Sequence, residues 1–170
     1  MVPEAKVEAG VPQDAGWFVV NARDARWLHN ELGGYCPFEG RGDARFPALG
    51  INLNVLPPGK PMAMYHAEAG EEAFLVLKGE CILIVEGQER PLRTWAFFYC
   101  PPWTEHVIVA TRDEPALVLA VGTRGNQGIV YPANEAALKH DAGAKVETSS
   151  PAEAYAGLSE LKEAPPPDLF

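Results

Sequence analysis

Four side chains of metal-ligand type stand at spacings that can bring them to one point. His66 and Glu68 are two positions apart, and residues i and i+2 of a β-strand project from the same face. Glu72 opens the next predicted strand after a turn that contains glycine, and His106 opens a later strand directly after a Pro-rich turn. If these strand faces point into the interior of the protein, the four side chains can form one metal site.

Each of these residues also has a simpler structural interpretation. A core histidine bonded to a carbonyl would explain His66, a surface carboxylate beside Glu71 would explain Glu72, and a solvated strand end would explain Glu68. A carboxylate in phase with an apolar strand face needs a partner when it is buried. The common register with His106 therefore favours metal binding for all four.

Two imidazoles and two carboxylates would form a mixed nitrogen and oxygen ligand set. Such a set suits one divalent transition metal, namely manganese, iron, nickel or zinc, and suits copper(I) less well because copper(I) prefers sulfur. The softness of the ligands does not choose among those four metals.

A series of short β-type runs bounded by turn residues must position these side chains. About eight such strands follow one another without intervening amphipathic helices, and this pattern is typical of an antiparallel sandwich or barrel. The predicted strands are 51–56, 62–68, 72–78, 81–86, 89–93, 95–100, 106–111 and 116–122. Gly87 and Gln88 are predicted to form the turn of one hairpin.

The spacing of these residues resembles the two motifs of the cupin superfamily. That family's first motif continues from its histidines through three or four residues to Glu, and through six more to Gly. Here His66-x-Glu68 is followed by Glu72 and Gly79 at those distances, with Glu68 in place of the usual second His. The match resembles small single-domain bacterial cupins.

The second motif is degenerate in this chain. Its spacing is kept from Trp95 through Pro101 and Trp103 to His106, but only the Pro and His identities match, because both glycines of the motif are replaced by Trp. An Ala also stands where the family has Asn. The two motifs in order at this separation are more specific than either alone.

The resemblance implies an all-β fold, a double-stranded β-helix or jelly-roll barrel with an N-terminal arm and short C-terminal helices. It also implies a small polar molecule bound inside the barrel. Among cupins, sugar or sugar phosphate isomerisation and metal-dependent dioxygenation are both known, and the carboxylate-rich ligand set favours the isomerase. A non-catalytic binding or sensing module is the alternative, and no separate general base is evident.

Four further residues are candidates for contact with the small-molecule ligand. Met64 has the parity of the proposed ligands, Asn54 alternates with apolar residues, Phe98 lies in an aromatic strand, and Trp103 stands in the turn before His106. Core packing is the competing interpretation for Met64 and Phe98, and a solvated strand face is the competing one for Asn54. Cys100 is predicted to be a buried free thiol.

We expect one cupin barrel with extensions on both sides. Residues 1–15 are predicted to be a flexible arm, 16–49 an irregular segment packed on the barrel, 50–122 the barrel, and 123–170 an extension with short helices and a Pro-rich tail. Ser150, Pro151 and Glu153 fit the start of a helix that is predicted to run to about Leu161.

The net charge and the N-terminal sequence limit the partners and the location that we expect for the protein. With 14 basic and 23 acidic residues the net charge is −9, which disfavours nucleic acid and anionic membranes as partners. The N-terminus lacks the basic-then-apolar order of a secretory signal, so we expect a cytoplasmic protein. Edge strands of such sandwiches need covering, and from this and from what is common in cupins we expect a homodimer.

Overall fold

The computed structural model describes residues 1–125 and 128–168. Short strands and a few single-turn helices make up its regular structure. The strands are β1 (Val7–Glu8), β2 (Val11–Pro12), β3 (Trp27–Asn30), β4 (Gly33–Pro37), β5 (Leu49–Leu56), β6 (Ala67–Glu68), β7 (Glu72–Lys78), β8 (Cys81–Val85), β9 (Gln88–Leu92), β10 (Phe97–Cys100), β11 (His106–Ala110), β12 (Ala116–Thr123), β13 (Ile129–Val130) and β14 (Lys162–Ala164). The helices are α1 (Glu135–Leu138), α2 (Pro151–Ala154) and one 3-10 turn (Gly42–Ala44).

Two antiparallel sheets face each other and form the barrel. The larger sheet has the order β10-β7-β12-β5-β4-β3-β14, and the smaller has the order β11-β8-β9. Their inner faces share one apolar core, to which the larger sheet contributes Phe74 and Val118 and the smaller sheet contributes Leu83 and Ile108. The period-2 alternation of these strands directs their apolar side chains into that core. The all-β jelly-roll barrel expected from the sequence is confirmed.

Seven of the eight strands expected between residues 50 and 122 form within a few residues of their expected ends. The exception is the run 62–68, of which only β6 is a strand. Its backbone donors are used elsewhere, because the Tyr65 N–H donates to the Ala142 carbonyl at 2.6 Å and the Met64 N–H donates to the Tyr155 hydroxyl at 3.2 Å. These bonds to the C-terminal extension interrupt the ladder before His66.

One hairpin turn and one connection between the two sheets require left-handed backbone. Between β8 and β9 the turn residues are Glu86 and Gly87, with φ of 48° and 70°. Two positive φ values define a type I′ turn, so the expected turn lies one residue too far along the chain. Between β7 and β8, Gly79 has φ of 80°, and a Cβ there would lie 2.5 Å from the Pro115 carbonyl oxygen. Only glycine fits that position without strain.

The segment before the barrel is more regular than its sequence indicates. Residues 16–49 contain β3 and β4, which extend the larger sheet, and residues 1–15 contain the β1–β2 hairpin. Trp27 and Cys36 pack against Leu53, Val55 and Leu117 on the outer face of that sheet. The segment therefore covers apolar surface that the barrel would otherwise expose.

The C-terminal extension packs across the outside of the smaller sheet. Asn134 caps α1 by accepting from the Ala136 and Ala137 amides, and Ser150 caps α2 in the expected way. The helix from Pro151 ends at Ala154 and does not reach Leu161, because the chain turns at Gly157, where φ is 90°. The tail then pairs with β3 as β14. Among the described residues, no helix is long and apolar enough to cross a membrane.

Candidate metal centre

His66 and His106 face each other across an isolated antiparallel bridge. The His106 N–H donates to the His66 carbonyl at 2.8 Å, and the His66 N–H donates to the His106 carbonyl at 3.1 Å. The ring centroids are 4.8 Å apart. His66 is 8% exposed and His106 is 1% exposed. The bridge therefore holds two buried imidazoles side by side at the edge of the smaller sheet.

Glu72, the first residue of β7, reaches both rings from the opposite sheet. Its Oε2 lies 3.2 Å from Nε2 of His106 and 3.8 Å from Nε2 of His66. One ligand atom from each of the three residues lies within 4.8 Å of the other two. A strand of each sheet and the segment before β6 thus contribute one ligand-type atom each to a common point.

Backbone carbonyls fix the orientation of both imidazoles. Nδ1 of His66 lies 2.7 Å from the Met64 carbonyl oxygen, and Nδ1 of His106 lies 3.0 Å from the Thr104 carbonyl oxygen. A neutral ring that donates from Nδ1 carries its lone pair on Nε2. This is the arrangement of metal-binding histidines, in which the second nitrogen is held by a hydrogen bond.

The facing atoms of the cluster lack hydrogen-bond partners. Among the described residues, Glu72 Oε2 and His106 Nε2 are buried and without such a partner. Two acceptors that face each other at 3.2 Å repel unless a positive charge lies between them, and leaving them unpaired is costly. A proton or a metal ion would remove that cost, so this ligand set fits a divalent cation.

Burial and neighbouring groups shift the pKa values of the two histidines in opposite directions. Burial lowers the pKa of His66, and the charge of His106 lowers it further. Burial also acts to lower the pKa of His106, but its contacts with Cys100 and Glu72 prevail and raise it to about 10. The contacts of His106 with Cys100 and Glu72 therefore favour a positive charge at this point of the cluster.

Glu68 lies beside this cluster and outside the three-residue group. It is the second residue of β6, and its Oε1 lies close to the backbone of Gly70, where an added Cβ would be 2.7 Å away. Burial raises the pKa of Glu68, the Glu72 charge raises it further, and His106 opposes both. The structure thus brings together three of the four predicted ligands, with the fourth in the same electrostatic environment.

Phe98, a predicted ligand-contact residue, forms an aromatic wall of the site. Its ring stacks on Phe74 at 5.8 Å and lies 5.8 Å from His106. Cys100, two residues further on the same face, places its Sγ 3.3 Å from Nδ1 of His106. The prediction of a merely buried thiol missed this contact, although the shared parity of Phe98 and Cys100 could have indicated it.

The other three predicted contact residues lie in different surroundings. Asn54 is buried on the inner face of β5, where it donates to the Asn52 side chain at 2.6 Å. Met64 packs against the C-terminal extension. Trp103 is 54% exposed, and its backbone N–H donates to the Glu68 carbonyl at 2.7 Å.

Two tyrosines of the C-terminal extension reach the site and were missed by sequence reasoning. The Tyr131 ring lies 5.9 Å from His66 and meets Tyr155 edge to face, also at 5.9 Å. Burial raises the pKa of Tyr131 to about 12. The pKa of Tyr155 is likewise raised by burial, and the Glu72 charge adds to this. No motif or periodicity links these residues to the barrel, so no local signal could have identified them.

Comparison with known proteins agrees with this architecture. Residues 52–122 match the family model described as the cupin domain. No curated protein sequence matches the chain at a significant level.

Solved structures overlap with the barrel at low sequence identity. The polyketide cyclase RemF from Streptomyces resistomycificus has a TM-score of 0.57 at 12% identity, over 66% of this chain and 84% of that one. A cupin 2 domain-containing protein from Halorhodospira halophila has a TM-score of 0.53 at 18% identity, over 64% and 75%. A sugar phosphate isomerase of the cupin superfamily from Silicibacter pomeroyi has a TM-score of 0.48 at 25% identity, over 64% and 71%.

The polyketide cyclase and the cupin 2 domain-containing protein show similarity of fold alone. The TM-score of the isomerase is too low to support an argument. The matched domain and the barrel topology agree on a cupin fold for residues 52–122. Residues 52–122 form a cupin domain, and this barrel carries a cluster of two histidines and one glutamate that could hold a metal ion.

Proposed function

We propose that this chain is a metal-dependent enzyme that acts on a small polar molecule inside its barrel. The observation that carries the proposal is the contact of two buried ligand-type atoms, Glu72 Oε2 and His106 Nε2, which lie 3.2 Å apart and 4.8 Å or less from a ligand-type atom of His66. His66, Glu72 and His106 would hold one divalent ion of manganese, iron, nickel or zinc. Glu68 as a fourth ligand remains part of the proposal.

The reaction that we favour is isomerisation of a hydroxy-carbonyl compound of the sugar type. A bound divalent ion supplies a Lewis acid for adjacent hydroxyl and carbonyl oxygens. Glu72 contributes a hard carboxylate that suits a metal with such oxygen ligands, while the Met64 and Thr104 carbonyls keep both imidazoles in place. The rings of Phe74 and Phe98 exclude water from one side of His106.

Proton transfer in such an isomerisation requires a base that need not bind the metal. Glu68 lies next to the cluster, is half-buried, and is influenced by the charges of Glu72 and His106. A carboxylate in this position can accept a proton from a bound substrate. Glu68 is thus a candidate both for a fourth metal ligand and for a general base. Only the loss of a ligand would be expected to lower metal affinity.

A second candidate, a metal-dependent dioxygenase, is favoured by the identity of the three-residue group. Two histidines and one carboxylate with open positions are typical of non-haem iron(II) oxygenases. The cluster of His66, Glu72 and His106 has this composition. A non-catalytic small-molecule binding module is the outcome if metal or ligand binds without turnover.

Metal content of protein purified without a histidine tag tests the proposal first. We expect about one equivalent of a single transition metal, with loss of the metal in His106→Ala and retention in Phe98→Leu, which changes a wall and no ligand. A substrate panel of sugars followed by NMR then tests isomerisation. Oxygen consumption after iron(II) reconstitution tests dioxygenation. Absence of metal from the wild type, even after reconstitution, would contradict the proposal.

A further inference from the structure

The outer face of the larger sheet is covered over only part of its width. The segment before the barrel packs over β5 and β12, and its apolar cluster around Trp27 includes Leu77 and Leu119. At the other end of the sheet, β10 is the last strand, and among the described residues it pairs on one side only, with β7. The corner formed by β7 and β10 lies beyond the cover.

That corner exposes two aromatic side chains of β10. Phe97 is 66% exposed and Tyr99 is 51% exposed. They alternate along the strand with Phe98 and Cys100, which pack in the core between the two sheets. Because successive side chains of a strand point to opposite faces, Phe97 and Tyr99 project from the outer face of the sheet.

An apolar surface continues from these two rings across the sheet. Phe97 pairs with Leu75, and Tyr99 pairs with Ala73, which pairs in turn with Val121 of β12. Leu75, Ala73 and Val121 are half-buried. We name these five residues the β10 patch.

The β10 patch has the composition of the centre of a protein interface. An aromatic side chain has about 150–250 Å² of surface, so the two exposed rings alone leave roughly 200 Å² uncovered. Contiguous apolar surface of a few hundred Å² with a polar border marks an interaction site. A standard interface buries about 800 Å² per partner around an apolar centre rich in aromatic residues. The β10 patch can supply that centre, and the polar residues around it can supply the remainder.

Opposite charges border the β10 patch at its two ends. Glu71 precedes β7 and accepts a hydrogen bond from the Tyr99 hydroxyl at 2.8 Å. Arg93 is exposed and opens the turn before β10. This turn lies beside Val76, because the Trp95 N–H donates to the Val76 carbonyl at 2.7 Å. Val76 is roughly 17 Å further along the chain of β7 than Glu71. One end of the patch is therefore basic and the other acidic.

We propose that the β10 patch is the contact surface between two copies of this chain. A two-fold axis that runs across the strands turns the patch end for end. It places the two apolar centres on each other and Arg93 of each copy beside Glu71 of the other, so the surface is complementary to itself in charge. The homodimer expected from the sequence thereby gains a specific surface, and this surface does not depend on metal binding.

The molar mass in solution tests the proposal. Sedimentation equilibrium from about 1 µM to about 100 µM should reach about twice the chain mass of 18.4 kDa. Phe97→Thr and Tyr99→Thr remove aromatic surface but keep a β-branched residue that suits a strand. Each should weaken association at least about tenfold. Val146→Thr is the matched control, because Val146 is exposed but lies in the C-terminal extension, and it should leave association unchanged.

Charge reversal tests the two-fold arrangement separately. Arg93→Glu and Glu71→Arg each bring like charges together at both ends of the interface, so each should weaken association by about tenfold. The double variant restores opposite charges and should recover most of the affinity. Each single variant also loses a contact within its own chain, which is that of Arg93 with Glu80 at 3.8 Å or that of Glu71 with Tyr99. The double variant does not restore these, so recovery can come only from the contact between copies.

Three results would overturn the proposal. A monomer throughout this concentration range would leave the β10 patch to a different partner. A dimer that neither Phe97→Thr nor Tyr99→Thr weakens would have its interface elsewhere. A mass that grows beyond the dimer with concentration would show open-ended association in place of a closed two-fold contact. A double variant that associates no better than the single ones would contradict the placement of Arg93 beside Glu71.

Discussion

Tyr155 and His66 are joined through a single residue, Met64. The Met64 N–H donates to the Tyr155 hydroxyl at 3.2 Å, and the Met64 carbonyl lies 2.7 Å from Nδ1 of His66. The C-terminal extension therefore helps to position the backbone that orients a metal ligand. Residues that hold a ligand in this indirect way influence metal affinity without touching the ion.

Loss of the Tyr155 hydroxyl should weaken both the fold and the metal site. Tyr155→Phe leaves the Met64 N–H without its acceptor, so we expect the free energy of unfolding to fall by about 1 kcal/mol. Metal affinity should fall by less than about tenfold, because all three ligand side chains remain. Chemical denaturation and competition with a chelator measure these quantities. Tyr99→Phe is the control, and an unchanged metal affinity in Tyr155→Phe would contradict the coupling.

Substitution of the two carboxylates should separate a metal ligand from a neighbouring base. Glu72→Gln removes the charge within 3.2 Å of His106, and we expect it to abolish metal binding at micromolar concentrations. If Glu68 is a ligand, Glu68→Gln should lower metal affinity by about tenfold or more. Metal analysis and calorimetry give the answer. Unchanged affinity in Glu68→Gln, together with lost turnover, would assign Glu68 to proton transfer.

The sequence predicted those site residues that are of metal-ligand type and lie on strands with clear two-residue alternation. The two-residue alternation of the strands and the positions of the turns predict that His66, Glu72 and His106 point inward. The structure brings these three side chains together. The parts that the sequence did not predict depend on long-range contacts. The backbone N–H groups just before His66 donate to the Ala142 carbonyl and the Tyr155 hydroxyl, which lie far along the chain. No local sequence pattern indicates such long-range hydrogen bonds. The same holds for β3 and β4, whose short runs become strands only by pairing with β5 and β14.

Metal binding should strengthen as the pH rises. In the metal-free protein, contacts with Cys100 and Glu72 outweigh burial and raise the pKa of His106 to about 10, while burial lowers the pKa of His66. At neutral pH a cation must therefore displace one proton, from His106. The apparent affinity should rise by up to about tenfold per pH unit between about pH 6 and pH 8.

Calorimetry in two buffers of different ionisation enthalpy counts the released protons, and we expect about one. Cys100→Ala removes the thiol that lies 3.3 Å from Nδ1 of His106. The pKa of His106 should then be lower, so metal should bind more tightly at neutral pH and release a smaller fraction of a proton. Affinity that does not change with pH would show that the cluster is already deprotonated.

Two tryptophans occupy backbone positions that favour glycine. Trp95 and Trp103 have φ of 71° and 64°, and they stand where the second cupin motif has its two glycines. A non-glycine residue in this conformation costs about 1–3 kcal/mol. Trp95 is 71% exposed, so burial of its ring offsets little of that cost, whereas the Trp103 ring lies against Gly128, where an added Cβ would be 2.9 Å away.

Replacement of Trp95 by glycine should therefore stabilise the protein. The left-handed strain disappears, while glycine loses more backbone entropy on folding, so we expect a net gain of about 1 kcal/mol in the free energy of unfolding. Trp103→Gly should gain less, because it also loses the contact with Gly128. Phe97→Gly is the matched control, since Phe97 is similarly exposed but lies in β10 with ordinary strand geometry. That variant should be destabilised. Urea denaturation of the three variants decides the matter, and a loss of stability in Trp95→Gly would mean that its ring makes contacts worth more than the strain.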